Sequence, residues 1–345
     1  MASYDVTVRG AGIFGLSVAW ACVTRGACVQ VIAPQGVAAG ASGGIVGALA
    51  PHTPENWNPK KEFQFQSLLM ARELWPEIEA LTGLPTGYAR TGRLQPVADD
   101  HALALAETRG RNARTLWQGR ADWTLVETPS DWGPKSPTGL CIHDTLSAHL
   151  NPRLATQALA RAVEMKGGSI TRDGEESGAV VWATGAQGLA ELSDAFQRPV
   201  GNAVKGQAGL LALDRSGAPQ LFADTLHIMP HLDGTVAVGS TSERDFTSPD
   251  STDDQLDALI ARARAAVPAL ADAPVLQRWA GLRPRAKSRA PMLGPWPGRE
   301  GHYIANGGFK IGFGMAAMVG ETMARKIIDA KDAIPAGFRV EDNLR

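Results

Sequence analysis

The stretch from Asp5 to Ile32 constrains this chain most. Asp5-Val6-Thr7-Val8 reads as a short buried strand, Gly10-Ala11-Gly12-Ile13-Phe14-Gly15 as a tight turn, and the apolar run through Trp20 to about Arg25 as a helix closed by Gly26. Ala27 to Ile32 then reads as a second strand, so the chain opens as a βαβ unit. Glycines at 10, 12 and 15 allow a sharp turn, close backbone approach and tight packing of helix on strand, and the helix start offers free N–H groups and a positive dipole end to a pyrophosphate. A glycine-rich strand–helix turn can also bind nothing. Here both the preceding strand and the following helix are present, which favours a dinucleotide. One usual part is missing. About 20 residues on, an acidic side chain normally bonds the ribose, but the second strand runs out as Val31-Ile32-Ala33-Pro34-Gln35. Gln35 or backbone groups must take that role, which weakens a nicotinamide reading more than a flavin one.

The chain has 345 residues, 44% of them hydrophobic, enough for a large core and two closely joined domains. Lys+Arg 34 against Asp+Glu 35 leaves a net charge of -1 and no basic stripe, which argues against nucleic acid as a partner. Cys22, Cys28 and Cys141 are neither a disulfide framework nor a metal set, and fit a reducing compartment. No charged leader with an apolar core is visible, and no apolar run approaches the ~20 residues of a membrane helix. A cytoplasmic enzyme is the expectation.

Further on, Glu62 to Leu81, His101 to Trp117, Pro152 to Lys166, Asp253 to Val267 and Gly314 to Asp329 read as helices. Thr91 to Val97 and Val180 to Gly185 read as strands, the latter ending in Ala183-Thr184-Gly185, and residues 203 to 242 alternate as a β region. This mixture predicts a nucleotide-binding α/β unit assembled from separated segments, with a β-rich unit inserted between them.

Several further blocks bear on function. Ala41-Ser42-Gly43-Gly44-Ile45-Val46-Gly47-Ala48-Leu49-Ala50-Pro51 is small enough for backbone to lie against a flat ligand. Near the end come Gly281-Leu282-Arg283-Pro284 and Asn306-Gly307-Gly308-Phe309-Lys310-Ile311-Gly312-Phe313-Gly314. In this order the blocks resemble the D-amino-acid oxidase superfamily of FAD enzymes, glycine oxidase and sarcosine oxidase among them, from Val6 to about Ile328. The resemblance implies a Rossmann-like FAD-binding domain (1–80, 145–200 and 280–335) with an inserted, β-rich antiparallel substrate domain (81–144 and 201–279) and a tail at 336–345. It also implies that Gly10, Gly12, Ile13, Phe14 and Gly15 face the pyrophosphate and that Ser42 and Gly43 lie along the phosphate and ribityl part. Gly47 to Pro51, including Leu49, would pass near the isoalloxazine. Ala183, Thr184, Gly185 and Gly281 belong to the same cofactor set, and Gly307, Gly308, Phe309, Ile311 and Gly312 approach the flavin's other end. The chain departs from the pattern in three places. Ser288 stands where glycine-oxidase-like chains carry a carboxylate after Gly-Leu-Arg-Pro. The span from Gly168 to Val180 is short. No cysteine follows Cys141, so FAD is expected to be bound non-covalently.

Oxidising an α-amine on a flavin demands position and field more than acid–base groups, so the first requirement is a cation for the substrate carboxylate. The resemblance assigns that to Arg283, whose fork suits a carboxylate. Arg285, Lys287 and Arg289 crowd the same segment, and a surface ion-pair role is the alternative. Lys310 is expected as a second carboxylate cation, against a snorkelling lysine; two converging cations would indicate an acidic substrate. His227, in His227-Ile228-Met229-Pro230, takes the place of a substrate-touching tyrosine, or is structural. His52 would lie near the flavin, or is structural. Arg93 and Trp75 read as structural residues that could line a pocket. The leading expectation is oxidation of the α-amine of a small amino acid or N-methyl amino acid. The alternatives are a 2-hydroxy-acid dehydrogenase, using His227 or His52 as base, and a flavin-binding subunit active only in a complex.

Overall fold

The computed structural model describes residues 4–345. Its first sheet has six strands in the order Met292–Pro295, His302–Asn306, Ala179–Trp182, Val6–Arg9, Val29–Ile32 and Ser169–Thr171. All neighbours are parallel except the first pair. Val6, Val8, Val29 and Val31 are fully buried, as expected of parallel strands covered on both faces. The helix Ile13–Val23 follows the first strand and is buried along its whole length. The helix Gly312–Ile327 packs against it, and a Cβ on Gly320 would lie 2.3 Å from Ser17 O, so only glycine permits this close crossing.

The helix Pro59–Thr82 packs on Gly312–Ile327 as well. Its ends follow from local chemistry. Asn58 accepts from the Lys60 and Lys61 N–H groups, Pro59 sits in the first turn, and Gly83 closes the helix at φ +69°.

The second sheet has eight strands in the order Val275–Ala286, Gly201–Ala212, Thr235–Gly239, Leu226–Pro230, Gln220–Ala223, Arg93–Pro96, Leu140–Asp144 and Trp123–Glu127. It is antiparallel apart from one parallel pair, Gln220↔Arg93 and Leu221↔Leu94. One face carries a separate apolar core beneath the helix Asp254–Ala266, built on Leu256, Leu259, Ile260 and Ala263. The α/β class with a β-rich second part is therefore as expected. The strand Val275–Ala286 pairs with Gly201–Ala212 along nearly its full length, so the boundary expected near 280 falls inside a continuous strand.

Candidate active site

The opening glycines are enforced by backbone. Gly10 has φ +105° and a Cβ there would meet Ala183 O at 2.5 Å; one on Gly15 would meet Gly10 O at 2.0 Å. Gly12 differs, since a Cβ would meet only Ser42 Oγ, at 3.2 Å. Ser42 is buried and its hydroxyl accepts the Ile13 N–H at 2.9 Å. The helix starting at Ile13 has no acidic residue in its first turn and no side-chain cap from Gly12. The helix starting at Gly312 likewise has no capping side chain and no first-turn acid.

These two helix starts are neighbours. Gly312 approaches Ile13 Cγ2, and a Cβ on Gly308 would lie 2.9 Å from the Phe14 ring. The head and tail of the chain thus meet, and two positive dipole ends converge. Gly307 takes φ +80°, while Phe309 sits at φ +44°, a left-handed conformation rare for an aromatic residue. Phe309 N–H donates to Pro284 O at 2.9 Å, and Gly308 bridges Arg285, so the Gly307–Gly312 turn is stitched to the strand carrying Arg283.

Arg283 is nearly buried. Its Nη1 donates to Ser240 Oγ, and its Nη2 donates to Lys205 O at 3.1 Å and Thr241 O at 2.6 Å. Nε is buried with no acceptor among the described residues. Burial pulls its pKa down to about 10, partly opposed by the Glu243 charge, so it stays cationic at neutral pH. Glu243 itself is engaged with Gln207 Nε2 at 3.0 Å, the Thr241 hydroxyl and Lys205 Nζ at 3.5 Å. Phe309 is the hub of the cluster. Arg283, Arg285 and Lys310 lie 5.7, 5.5 and 5.8 Å from its ring centre. None of these three cations has a carboxylate within 4.0 Å among the described residues. Lys310 is exposed overall, yet desolvation of its ammonium, then Arg283 and Arg285, hold its pKa below the ordinary lysine value.

His227 joins this group through Lys310. Its ring packs 4.9 Å from Phe222, and its Nδ1 is buried without a partner. Burial, then the charges of Arg93 and Lys310, push its pKa down to about 3. The unfolded chain takes up this proton near 6.5, the native ring only near 3, so between these values the unfolded state binds more protons. Stability should therefore fall as pH drops from 6.5 toward 3 and be unaffected by this group above it. Thermal melts of wild type and His227→Asn across that window check it; equal acid slopes would remove His227 as a contributor. His149, pushed to about 4 by burial and then by His231, adds a parallel loss.

His52 is held elsewhere. Its N–H donates to Gln64 Oε1 at 2.8 Å and its Nδ1 contacts the same oxygen, while Gln64 Nε2 donates to Ala50 O. None of its polar contacts is with Arg283, Lys310 or His227. Gly43 and Gly47 are fixed by protein backbone, a Cβ meeting Ala38 O at 2.2 Å and Leu150 O at 2.1 Å, and Leu49 is fully buried. Gly281 lies under Trp279, whose ring would be 2.5 Å from a Cβ there. Gln35 is exposed and donates to Gln187 at 3.3 Å, just beyond Ala183-Thr184-Gly185, where the helix Gly185–Ala195 begins. Sequence reasoning missed Ser240, Thr241 and Lys205, whose oxygens hold Arg283, and Glu243, whose charge acts on it. Lys205 was the available signal, the one charge in the strand Gly201–Ala212, between Val204 and Gly206.

A family model described as DAO, FAD dependent oxidoreductase, matches residues 5–326. The chain belongs to this family and is an FAD-dependent oxidoreductase. It is 28% identical over 371 residues to the glycine oxidase of Pseudomonas putida, covering 99% of this chain and 100% of that one. It is also 28% identical to the bifunctional protein ThiO/ThiG of a Nostoc species over 95% of this chain, and spans about half, 53%, of that longer protein. Among solved structures, iminodiacetate oxidase of a Chelativorans species superposes with a TM-score of 0.83 at 21% identity, covering 97% of this chain and 98% of that one. The residues present fit the cofactor. The side-chain-free Gly12 beside the Ser42 hydroxyl, the uncapped start of the helix at Gly312 and the lack of any acid in the first turn of either helix suit a pyrophosphate. Cys22 and Cys141 are buried, and no cysteine lies in the segment from Gly281 to Gly312.

Proposed function

We propose that the protein oxidises the α-amine of a small amino acid or N-methyl amino acid, with FAD held non-covalently by Gly10, Gly12, Gly15, Ser42 and the Gly307–Gly312 turn. The carrying observation is the Arg283, Arg285 and Lys310 cluster around Phe309, in which no cation is ion-paired. A half-buried positive cluster with no ion pair of its own calls for an anion, and a substrate carboxylate supplies one. FAD, when bound, accepts the hydride that leaves the substrate α-carbon. Arg283 holds the carboxylate with its charge and the one Nη1 N–H that Ser240, Thr241, Lys205 and the burial of Nε leave over, and Lys310 adds a second, more exposed cation. The same positive field disfavours an ammonium, so it lowers the pKa of the substrate amine and favours the neutral form that reacts. The amine proton passes to solvent, and the resulting imine hydrolyses in water.

A hydroxy-acid substrate would require a base. His227, with its pKa pushed to about 3, and His52, lowered by burial, are poor acceptors near neutral pH. Anaerobic titration of the yellow protein tests the proposal. Glycine, sarcosine, proline or a D-amino acid should bleach the flavin absorbance. If none of them does while a hydroxy acid does, the amine reading is wrong.

A further inference from the structure

The eight-stranded sheet brings a further arginine to the same place. Arg93 is only 6% exposed, and its Nε donates to Oδ2 of the fully buried Asp144 at 2.9 Å. That is the one hydrogen bond of its side chain among the described residues. Nη1 and Nη2 have no protein acceptor, yet they are not sealed in packed protein as the orphaned Nε of Arg283 is. An arginine whose whole task is to neutralise Asp144 would spend its bidentate fork on that carboxylate. Here the Asp144 contact fixes the guanidinium plane through Nε and leaves the forked end open.

The open end belongs to the cluster described above. The Arg93 guanidinium stands 5.8 Å from the Phe222 ring centre, and Phe222 packs on His227. Both Arg93 and Lys310 act on His227 by their charge, and Lys310 in turn feels Arg283. In the sheet, the strands carrying Arg93 (Arg93–Pro96) and Arg283 (Val275–Ala286) lie on opposite sides of the strand carrying His227 (Leu226–Pro230). One substrate carboxylate answers Arg283 and Lys310. Arg93 then presents two donors that no protein acid meets.

We propose that Arg93 binds a second acid group, so that the preferred substrates are amino acids or N-substituted amino acids carrying two carboxylates. This rests on the amine-oxidation reading and specifies its substrate class. Arg93 is a specificity residue: it holds the acid far from the reacting carbon, while Arg283 holds the near one.

The test compares matched pairs on the FAD-loaded enzyme: glutamate with glutamine, aspartate with asparagine (both enantiomers of each), and iminodiacetate with sarcosine. Succinate and propionate, which offer no amine, are titrated against the flavin spectrum as a binding readout independent of turnover. The expected result is at least a tenfold higher kcat/KM for the best dicarboxylate than for its partner, and at least tenfold tighter binding of succinate than propionate. Arg93→Gln should lower kcat/KM for dicarboxylates at least tenfold more than for monocarboxylates, with Arg93→Lys recovering part of the margin. If Arg93→Gln does not fold, the wild-type ratios decide alone. Reduction by monocarboxylates equal to that by dicarboxylates would overturn the second acid site and leave the amine-oxidation reading standing. Failure of every amine to reduce the flavin would overturn both.

Discussion

Replacing Arg283 by alanine should raise the apparent KM for a carboxylate-bearing amine at least ~30-fold while the protein stays yellow. Loss of one charge-assisted partner at a desolvated site costs about 2–5 kcal/mol, and about 1.4 kcal/mol is a factor of ten, so ~30-fold is the lower end. The Arg283 carbonyl partners, Lys205 O and Thr241 O, are also left without that donor, so some loss of stability accompanies the change. The flavin content should not follow. The contacts of Gly10, Gly12 and Ser42 are with Ala183 and Ile13 and with one another, not with Arg283. Arg283→Lys keeps the charge but not the fork, and should fall between wild type and alanine. Steady-state kinetics with the ratio of visible to ultraviolet absorbance checks both parts. An unchanged KM would remove Arg283 from the substrate site.

The second large effect is a contrast between glycines. Gly15→Ala places a Cβ 2.0 Å from Gly10 O, and that oxygen belongs to the adjoining turn, which cannot yield without moving the buried helix. The cost should exceed the ~1–3 kcal/mol typical of core overpacking, and the expected outcome is little soluble protein. Gly12→Ala meets no backbone, only the Ser42 hydroxyl at 3.2 Å. It should fold, with a melting profile close to that of wild-type apoprotein, and yet bind FAD at least tenfold more weakly, because its methyl would crowd the pyrophosphate that we propose lies against Gly12. Circular dichroism and FAD titration separate these outcomes. If Gly12→Ala binds FAD like wild type, the pyrophosphate does not lie against that residue.

The opening βαβ unit was legible because all its signals are local: glycines two and then three residues apart, an apolar run at helical period, and a β-branched strand on either side. The Arg283 neighbourhood was legible only in part. Gly281-Leu282-Arg283-Pro284 contains glycine, proline and charge, and carries no strand signal by itself, yet it is a strand because Gly201–Ala212 pairs along it. Its anchors, Ser240 and Thr241, lie 42 or 43 residues away in sequence. Tertiary pairing of this kind overrides local propensity. The left-handed Phe309 was invisible for a related reason. Nothing in Gly308-Phe309-Lys310 requires it; the bond from Phe309 N–H to Pro284 O does. Arg93 read as a strand residue of structural type because its open Nη groups become evident only when Asp144 is seen to occupy Nε alone.

A crystal structure of the FAD-bound protein with acetate, a carboxylate that cannot be oxidised, is the most direct test of the central claim. The account predicts the carboxylate within hydrogen-bond distance of the Arg283 guanidinium, between Lys310 and the flavin ring. Acetate bound elsewhere, with Arg283 holding only Ser240, Thr241 and Lys205, would contradict it.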